Sequence, residues 1–248
     1  MRFGSPRYEF ASLPTTQAAA LEAAADGAAE GTLFLAEEQT HGRGRHGHAW
    51  ASVAGAGIYA SLVLRPRRPV GALLTLTLGS GLAIADAVAG VTGLRPELRW
   101  PNDLLLDGRK FCGILIESAG EAAALGFGIN LRREALPAEL TAVATALDCH
   151  ASRPIEREAV LAAALEHLDR RYRAWDAGHD RALLQEFEAR CPLVRSCEVV
   201  VGGSSATPYR AVTEGLEDSG FLRVRREDGT RGVVVNGDVR PRAEAASH

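Results

Sequence analysis

The sequence predicts a large domain of helices and one sheet, followed by a small module made only of strands. Three observations predict this fold. Short apolar segments between residues 98 and 129 alternate with turn residues, which is typical of a sheet with meander-like neighbours rather than a doubly wound one. Helical periodicity returns between residues 155 and 190. Short segments separated by glycine-containing turns then fill the C-terminal part.

The N-terminal elements are predicted from caps and apolar runs. Thr15 or Thr16 can cap a helix through residues 18–29, because a threonine hydroxyl can accept a hydrogen bond from a free N–H group of the first turn. A short strand is expected at residues 32–36, and a glycine- and arginine-rich segment at 39–50 interrupts regular structure. A strand at 58–64 and a helix from about 71 to 91 follow.

The later elements complete the first domain and form the second. Strands are expected at 98–100, 104–106, 111–117 and 122–129, with the middle two paired by the turn Asp107-Gly108. Helices at 155–175 and 181–190 end before Pro192, and strands at 198–201, 209–214, 221–225 and 231–235 predict a small barrel. We therefore expect domains at 1–191 and 192–248, with a frayed tail after Arg240.

Composition restricts the class of protein. The net charge of −3 and the pI of 6.2 argue against a general nucleic-acid binder, so an anion site must be built locally. The four cysteines lack C-x-x-C spacing and the density of a disulfide scaffold, which indicates reduced thiols. The N-terminus has no apolar signal region, and polar residues interrupt the longest apolar stretch, residues 73–91. We expect a soluble, cytoplasmic protein.

Lys110 is the only lysine among 28 basic residues, so nearly every interchangeable lysine has been replaced by arginine. An ammonium on a flexible stem can follow a moving phosphate or carboxylate oxygen, whereas a guanidinium is a broad planar fork. The lysine therefore suggests a function that arginine cannot perform. The alternative is a solvated residue beside the Asp107-Gly108 turn.

The segment from Gly42 to His48 combines glycines with arginines. Glycine lets backbone N–H groups approach a ligand, and guanidinium groups suit phosphate and carboxylate. The segment is neither a P-loop nor the opening of a dinucleotide-binding helix, so a solvated loop or an RNA contact remains an alternative. Its histidines do not favour a metal, because adjacent arginines repel cations and no acidic ligand is present.

Two further segments carry polar side chains at strand ends. In the first, Pro101 restricts the backbone, so that the amide of Asn102 and the carboxylate of Asp103 can be held in place. An ordinary Asx turn is the alternative. In the second, Gly126-Phe127-Gly128-Ile129-Asn130, strand glycines indicate close approach by a ligand or another backbone, and Asn130 can bind the edge of a flat heterocycle.

Together, the order and spacing of these segments resemble those of the biotin–protein ligases. Four segments match that family. The glycine–arginine loop matches at Gln39, Gly42, Arg43, Gly44, Arg45, Gly47 and Trp50, and the W-P-N-D segment at Trp100 to Asp103. The K-x-x-G-I-L strand matches at Lys110, Gly113, Ile114 and Leu115, and the G-x-G-x-N segment at Gly126, Gly128 and Asn130. The resemblance extends from Leu13 to about Arg240. It implies an α+β catalytic domain related to class II aminoacyl-tRNA synthetases and lipoate ligases, followed by an SH3-like barrel.

The resemblance also implies a two-step reaction. The biotin carboxylate attacks the α-phosphorus of MgATP to give biotinyl-5'-AMP, and a lysine of a biotin carboxyl carrier domain then attacks the mixed anhydride. The implied roles are as follows: Thr15, Thr16 and Gln39, with the backbone of Arg43, bind the ureido ring; Trp50 borders the valeryl chain; Arg43, Arg45 and Lys110 neutralise the reacting anions; Asn130 binds adenine; Asp103 orients or deprotonates the incoming lysine; Gly42, Gly44, Gly47, Asn102, Gly113, Ile114, Leu115, Gly126 and Gly128 complete the substrate site.

The sequence departs from the family pattern at two places. The usual D-S-T-N reads Pro14-Thr15-Thr16-Gln17, and His46 and His48 stand where arginine is usual, so the loop carries less positive charge. The chain begins close to Leu13, so we expect a monofunctional ligase without a DNA-binding domain, acting away from membranes as a monomer or weak homodimer. The rival functions are a lipoate or octanoate ligase, for which Gln39 is not needed, and a binding protein that contacts RNA or senses biotin.

Overall fold

The larger of two sheets has seven strands in the order β1-β2-β3-β7-β6-β5-β4. The computed structural model describes residues 3–203, 206–235 and 237–242. Only the pair β1 and β2 is parallel, so the sheet is mainly antiparallel, as its short connections predict. The strands are Arg7–Leu13, Leu33–Gln39, Gly57–Leu64, Glu97–Arg99, Asp103–Leu106, Arg109–Ala119 and Ala122–Asn130 for β1 to β7.

Strand β1 is absent from the sequence prediction. It lies at the edge of the sheet, so most of its residues are exposed and no continuous apolar run marks it. Tyr8 and Phe10 nevertheless alternate with polar residues and stack on Phe34 of β2, with ring centroids 5.3 and 6.3 Å away. This alternation is the signal that a half-buried edge strand leaves in a sequence.

Helix α1, Thr16–Ala25, begins at the predicted cap. The hydroxyl of Thr15 accepts a hydrogen bond from the backbone N–H of Gln17 at 3.2 Å. The helix ends four residues before the predicted end, at Ala25, and Gly27 then adopts a left-handed conformation with φ of 88°. The cap fixes the start of the helix against the sheet, where residues 15 to 17 are buried.

Helix α2, Leu73–Thr92, is the central helix of the core. It packs against α3, Arg157–Asp176, and α4, Asp180–Arg190, and also meets strands of the large sheet. By length and composition alone, residues 70–92 could cross a membrane, but most of this stretch is buried inside the fold. The packing of α2 between helices and sheet therefore accounts for its apolar character.

The turn between β5 and β6 forms as predicted. Asp107 and Gly108 both have positive φ, 49° and 72°, which a two-residue hairpin loop of type I′ requires. The turn pairs β5 with β6 antiparallel and places Lys110 at the start of β6.

The C-terminal module is a five-stranded sheet in the order β11-β10-β9-β8-β12, with the strands Arg195–Gly203, Ala206–Leu216, Leu222–Arg226, Arg231–Val234 and Asp238–Pro241 for β8 to β12. Four of these strands match the prediction, whereas β12 was not predicted. Within the described residues β11 and β12 do not pair, so no closed barrel is found. The expected frayed tail mainly concerns residues 243–248, which lie outside the described residues, but Arg240 and Pro241 belong to β12.

The two sheets are connected through Trp100 and the turn at Gly220. Trp100 is only 2% exposed, and its indole N–H donates a hydrogen bond to the carbonyl oxygen of Gly220 at 3.0 Å. Gly220 has φ of 82°, and an added Cβ would lie 3.2 Å from Leu78 of α2. The turn thus fits closely between α2 and the segment that begins at Trp100. The division into domains after residue 191 remains a prediction, although the second sheet does begin near that point, at Arg195.

Replacing Trp100 with phenylalanine should destabilise the protein. The Gly220 carbonyl would lose its buried donor and the smaller ring would leave space, so we expect a loss of roughly 2–4 kcal/mol in the free energy of unfolding. Urea unfolding followed by circular dichroism measures this loss. Tyr8→Phe, at a half-exposed edge residue, is the control and should change the value by less than about 0.5 kcal/mol. Equal stability of Trp100→Phe and the parent would contradict the connection.

Candidate active site

A cleft opens on the large sheet beside the start of α1, bordered by the glycine–arginine loop and by β6 and β7. Its empty volume is about 460 Å³, part of it open to solvent, which is in the range of small-molecule sites. Fourteen predicted site residues line it: Thr15, Thr16, Gln39, Arg43, Gly44, Arg45, Trp50, Asn102, Lys110, Gly113, Ile114, Leu115, Gly126 and Gly128. Gln17, Ala60, Ser61 and Phe127 also line it and were not predicted.

One end of the cleft is a network of polar side chains around Gln39. The amide oxygen of Gln39 accepts hydrogen bonds from the backbone N–H of Thr16 at 2.8 Å and from its hydroxyl at 3.1 Å. The Gln39 amide nitrogen donates to Ser52 at 2.9 Å. An amide nitrogen has two hydrogens, and Ser52 is the acceptor that the described residues offer, so one donor of Gln39 is available to a ligand. The hydroxyl hydrogen of Thr15 is also available, because in the helix cap that oxygen acts as acceptor.

Gln17 and Ser61 extend this network beneath the cleft. The amide nitrogen of Gln17 donates to the carbonyl oxygen of Ala124 at 3.1 Å, and its amide oxygen accepts from Ser61 at 3.1 Å. Ser61 also lies 2.9 Å from the Thr16 hydroxyl. A serine within the otherwise apolar strand β3 was the available sequence signal for Ser61. Gln17, noted from the sequence only as a departure from the family pattern, is a buried part of the site.

Trp50 lies flat against two strand glycines. An added Cβ at Gly128 would lie 2.4 Å from Cε2 of the Trp50 ring, and one at Gly113 would lie 2.9 Å from Cζ3. At Gly126 the close neighbour is the amide oxygen of Gln17, at 2.4 Å. The strand glycines therefore make room for protein side chains at the wall of the cleft, and the expected contact of these glycines with a ligand remains a prediction. The indole N–H of Trp50 is buried and finds no acceptor among the described residues.

The glycine–arginine loop closes on itself. The backbone N–H of Gly44 donates to His48 at 2.7 Å, and that of Trp50 donates to Gly42 at 2.9 Å. An added Cβ at Gly42 would lie 2.4 Å from the carbonyl oxygen of Trp50, and Gly47 has φ of 77° at a turn. Gly42 and Gly47, which were predicted to be part of the substrate site, do not line the cleft, and the structure shows that both shape the loop.

Arg45 is held by the segment that follows Trp100. Its guanidinium donates to the amide oxygen of Asn102 at 3.1 Å, and the Asn102 amide nitrogen donates to the carbonyl of Ile114 at 3.0 Å. Burial lowers the pKa of Arg45, while the negative charges of Asp103 and Asp238 act to raise it. Because a guanidinium remains protonated in proteins even when it is partly buried, Arg45 is a fixed cation in the cleft.

The ammonium of Lys110 lies 2.7 Å from a carboxylate oxygen of Asp103 and 5.3 Å from the centre of the Trp50 ring. Its side chain is one third exposed, so it is not the freely solvated residue of the alternative interpretation. The contact with Asp103 does not have hydrogen-bond alignment, so it is an ion pair held by charge. Asp103 itself does not line the cleft.

A second cleft lies on the other side of Trp50 and Lys110. These two residues line both clefts, and Asn130 lines only the second. Asn130 is 5% exposed and donates a hydrogen bond from its amide nitrogen to the Thr145 carbonyl at 3.1 Å. The remaining wall is mostly apolar: Ala49, Ala51, Ala135, Leu136, Pro137, Leu140, Val143 and Ala144. The sequence did not predict this wall, because residues 132–147 carry no regular apolar period.

Comparison with known proteins assigns the chain to a family. The sequence pattern of the Biotin/lipoate A/B protein ligase family matches residues 9–132, which include both the loop and the W-P-N-D segment. The chain belongs to this family.

Several members of the ligase family resemble the chain over most of its length. The biotin--[acetyl-CoA-carboxylase] ligase of Mycobacterium tuberculosis is 36% identical over 91% of this chain and 85% of its own. The enzyme of the same name from Paracoccus denitrificans is 31% identical over 91% of this chain and 96% of its own. The bifunctional ligase/repressor BirA of Bacillus subtilis is 38% identical over 65% of this chain, and the match spans about half of that relative, 52%.

A solved structure of a ligase shares the fold. The biotin protein ligase of Aquifex aeolicus, in complex with biotin and ATP, superimposes with a TM-score of 0.84. Its sequence is 26% identical, and the alignment covers 96% of this chain and 99% of the Aquifex chain. The family likeness thus includes both the large sheet and the C-terminal module.

Gly128→Ala should displace the ring of Trp50, because a methyl group cannot occupy a point 2.4 Å from a ring carbon. The other two tryptophans, Trp100 and Trp175, are at most 2% exposed, so a change in acrylamide quenching of tryptophan fluorescence reports on Trp50. We expect stronger quenching and a red-shifted emission. Gly90→Ala, where an added Cβ meets nothing within 4 Å, should leave both unchanged. Unchanged quenching in Gly128→Ala would show that the glycine does not position the ring.

Proposed function

We propose that this protein activates biotin with MgATP to form biotinyl-5'-AMP and pyrophosphate, and then transfers the biotinyl group to a lysine of a biotin carboxyl carrier domain. The observation that carries the proposal is the position of Lys110. The single lysine of the chain stands where two clefts of different chemical character meet. Membership of the ligase family and the likeness to a ligase solved with biotin and ATP support it.

The first cleft suits biotin. The ureido ring needs both donors and acceptors, and the free donors of Gln39 and Thr15 lie at the polar end, with Thr16 holding Gln39 in place. Trp50 supplies an apolar wall for the valeryl chain. In this orientation the biotin carboxylate points toward the guanidinium of Arg45 and the ammonium of Lys110.

The second cleft suits the adenine of ATP. Its walls of Leu136, Leu140 and Val143 offer apolar surface to a flat ring, and Asn130 supplies a polar group at its edge. The phosphates would then extend past Trp50 toward Lys110, Arg43 and Arg45, so that the α-phosphorus and the carboxylate meet at the boundary of the two clefts.

In the first step, a carboxylate oxygen of biotin forms a bond to the α-phosphorus, and the bond from this phosphorus to the oxygen that bridges to the β-phosphate breaks. Pyrophosphate leaves with the electron pair. Two anions must approach each other, so the main contribution of the protein is fixed positive charge. Arg45 is held by Asn102, whereas Lys110 is held by charge alone and can turn from Asp103 to the phosphate.

In the second step, the amine of the carrier lysine attacks the acyl carbon, AMP leaves, and the amine loses a proton. Asp103, the first residue of β5, is paired with Lys110 through charge. When Lys110 engages the phosphate, Asp103 is released to orient the incoming amine and accept its proton. One ion pair would thus serve both steps by exchanging partners.

The finer fold and cellular assignments are part of this proposal. We propose that the catalytic domain is related to class II aminoacyl-tRNA synthetases and that the C-terminal sheet is an SH3-like module. We further propose a cytoplasmic enzyme that acts without DNA, as a monomer or weak homodimer. The antiparallel sheet and the separate five-stranded sheet support the structural part of this assignment.

Lipoate is the rival substrate, because the family includes lipoate ligases. Its dithiolane ring has no N–H or C=O group, so the polar end of the first cleft would remain unmatched, which favours biotin. Pyrophosphate release on mixing the protein with MgATP and either biotin or lipoate tests the assignment. We expect release with biotin. Release with lipoate alone would refute the biotin assignment, and release with neither would favour a binding protein.

Lys110→Arg should not restore the first step, although it keeps the charge. The planar guanidinium cannot occupy the position of a compact ammonium beside the Trp50 ring and Asp103. We expect biotin-dependent pyrophosphate release to fall at least about 100-fold, by analogy with the loss of a charge-stabilising donor. Arg109→Lys, at the adjacent residue of β6, is the matched control. Near-normal release by Lys110→Arg would show that the first step does not require an ammonium at this position.

The arginines and histidines of the loop should differ in importance. Arg43→Ala and Arg45→Ala should each cost roughly 2–4 kcal/mol of transition-state stabilisation in adenylate formation. His46→Arg and His48→Arg should be tolerated, because neither histidine is assigned to the reacting groups. Rates of pyrophosphate release measure both. The assignment of the loop is wrong if the histidine variants lose activity while Arg43→Ala keeps it.

A further inference from the structure

Three side chains in contact with one another, Asp107, His150 and Thr145, connect the β5–β6 turn to the segment behind the wall of the second cleft. A carboxylate oxygen of Asp107 lies 3.1 Å from Nδ1 of His150. Nε2 of the same ring lies 2.8 Å from the hydroxyl of Thr145. The His150 side chain is 11% exposed and Thr145 is completely buried, whereas Asp107 is largely exposed. These side chains therefore connect the surface to the interior.

Thr145 is placed to hold two residues of the site. Its backbone N–H donates to the carbonyl of Lys110 at 2.8 Å, and Lys110 in turn donates its N–H to Val143 at 3.0 Å. The carbonyl of Thr145 accepts from the amide of Asn130 at 3.1 Å. One residue thus fixes the backbone of Lys110 and the side chain of Asn130, and it belongs to the segment that forms the wall of the second cleft.

An acid, a histidine and a hydroxyl in this order also form the catalytic triad of some hydrolases, but the burial of Thr145 excludes a role as nucleophile. The Thr145 side chain has no accessible surface, and Thr145 does not line either cleft, so no substrate can reach its hydroxyl. A nucleophile must come within bonding distance of its substrate. What the arrangement can do is hold a backbone segment in one position.

We infer that His150 is a positioning residue for the nucleotide, acting through Thr145 on Asn130 and Lys110. This inference rests on the proposed placement of adenine in the second cleft. None of the groups that contact His150 lines the first cleft. Lys110 lines both clefts, but its backbone is also paired with Leu105 of β5, whereas the Asn130 side chain makes its hydrogen bond to Thr145 alone among the described residues. Loosening Thr145 should therefore weaken the binding of ATP far more than the binding of biotin.

A matched pair of substitutions separates the two contacts of His150. Glutamine places its terminal amide near the position of Nε2, so His150→Gln keeps the hydrogen bond with Thr145. Asparagine places its amide near Nδ1, so His150→Asn keeps only the contact with Asp107. Thr145→Val removes the hydroxyl at nearly constant volume, and Thr145→Ser retains it. Cys149→Ser, at an exposed residue of the same turn, is the control.

The experiment measures the KM for ATP in biotin-dependent pyrophosphate exchange and, separately, the Kd for biotin without ATP. His150→Asn and Thr145→Val should raise the KM for ATP by about five-fold or more, the effect of one lost buried hydrogen bond. The Kd for biotin should stay within about two-fold of the parent value, because the polar end of the first cleft around Gln39 has no contact with Thr145. His150→Gln, Thr145→Ser and Cys149→Ser should all behave like the parent.

Two outcomes would overturn the inference. An unchanged KM for ATP in both His150→Asn and Thr145→Val would show that the chain of side chains has no influence on the nucleotide. A parallel loss of biotin and ATP binding, with a lower unfolding midpoint, would show a role in fold stability only. If instead the parent protein exchanges no pyrophosphate with biotin, the proposed function fails, and this result is distinct from both.

Discussion

The contact between the Trp50 ring and the bare backbone at Gly113 and Gly128 is the constraint on which the site depends. Two glycines on neighbouring strands leave a flat surface that an indole can cover. The ring covers it, separates two clefts, and provides the aromatic face beneath the ammonium of Lys110. The glycine–arginine loop, which closes at Trp50, receives its position from the same contact. A methyl group at either glycine would alter all of these relations together.

The second sheet contributes to this arrangement from a distance. Its turn at Gly220 binds Trp100, and the two residues after Pro101 are Asn102, which holds Arg45, and Asp103, which pairs with Lys110. Two of the cations that line the cleft, Arg45 and Lys110, therefore contact a short segment whose first residue is bound to the C-terminal module. The second sheet thus contributes indirectly to the support of the residues that carry charge in the site.

Much of the fold could be predicted, because its elements leave local signals. Positive φ at Asp107 and Gly108, the cap at Thr15 and the apolar period of α3 each follow from neighbouring residues. Edge strands β1 and β12 could not be predicted equally well, since an exposed strand is specified by the partner beside it. In the site, most residues of the four motifs, which were recognised by their spacing, line one of the two clefts. The orientation of Gln17 and the contacts of His150 could not be predicted, because each depends on residues far apart in sequence or on a segment without periodicity.

The use of arginine in place of lysine has a consequence for the chemical behaviour of the whole surface. Reagents that acylate amines find one lysine side chain, and that ammonium is paired with Asp103 and lies over the ring of Trp50. Guanidinium groups remain protonated and are poor nucleophiles. In the proposed reaction, this surface exposes almost no nucleophilic amine to the mixed anhydride. The composition would then protect the chain from acylating itself, and the acceptor amine would come from another molecule.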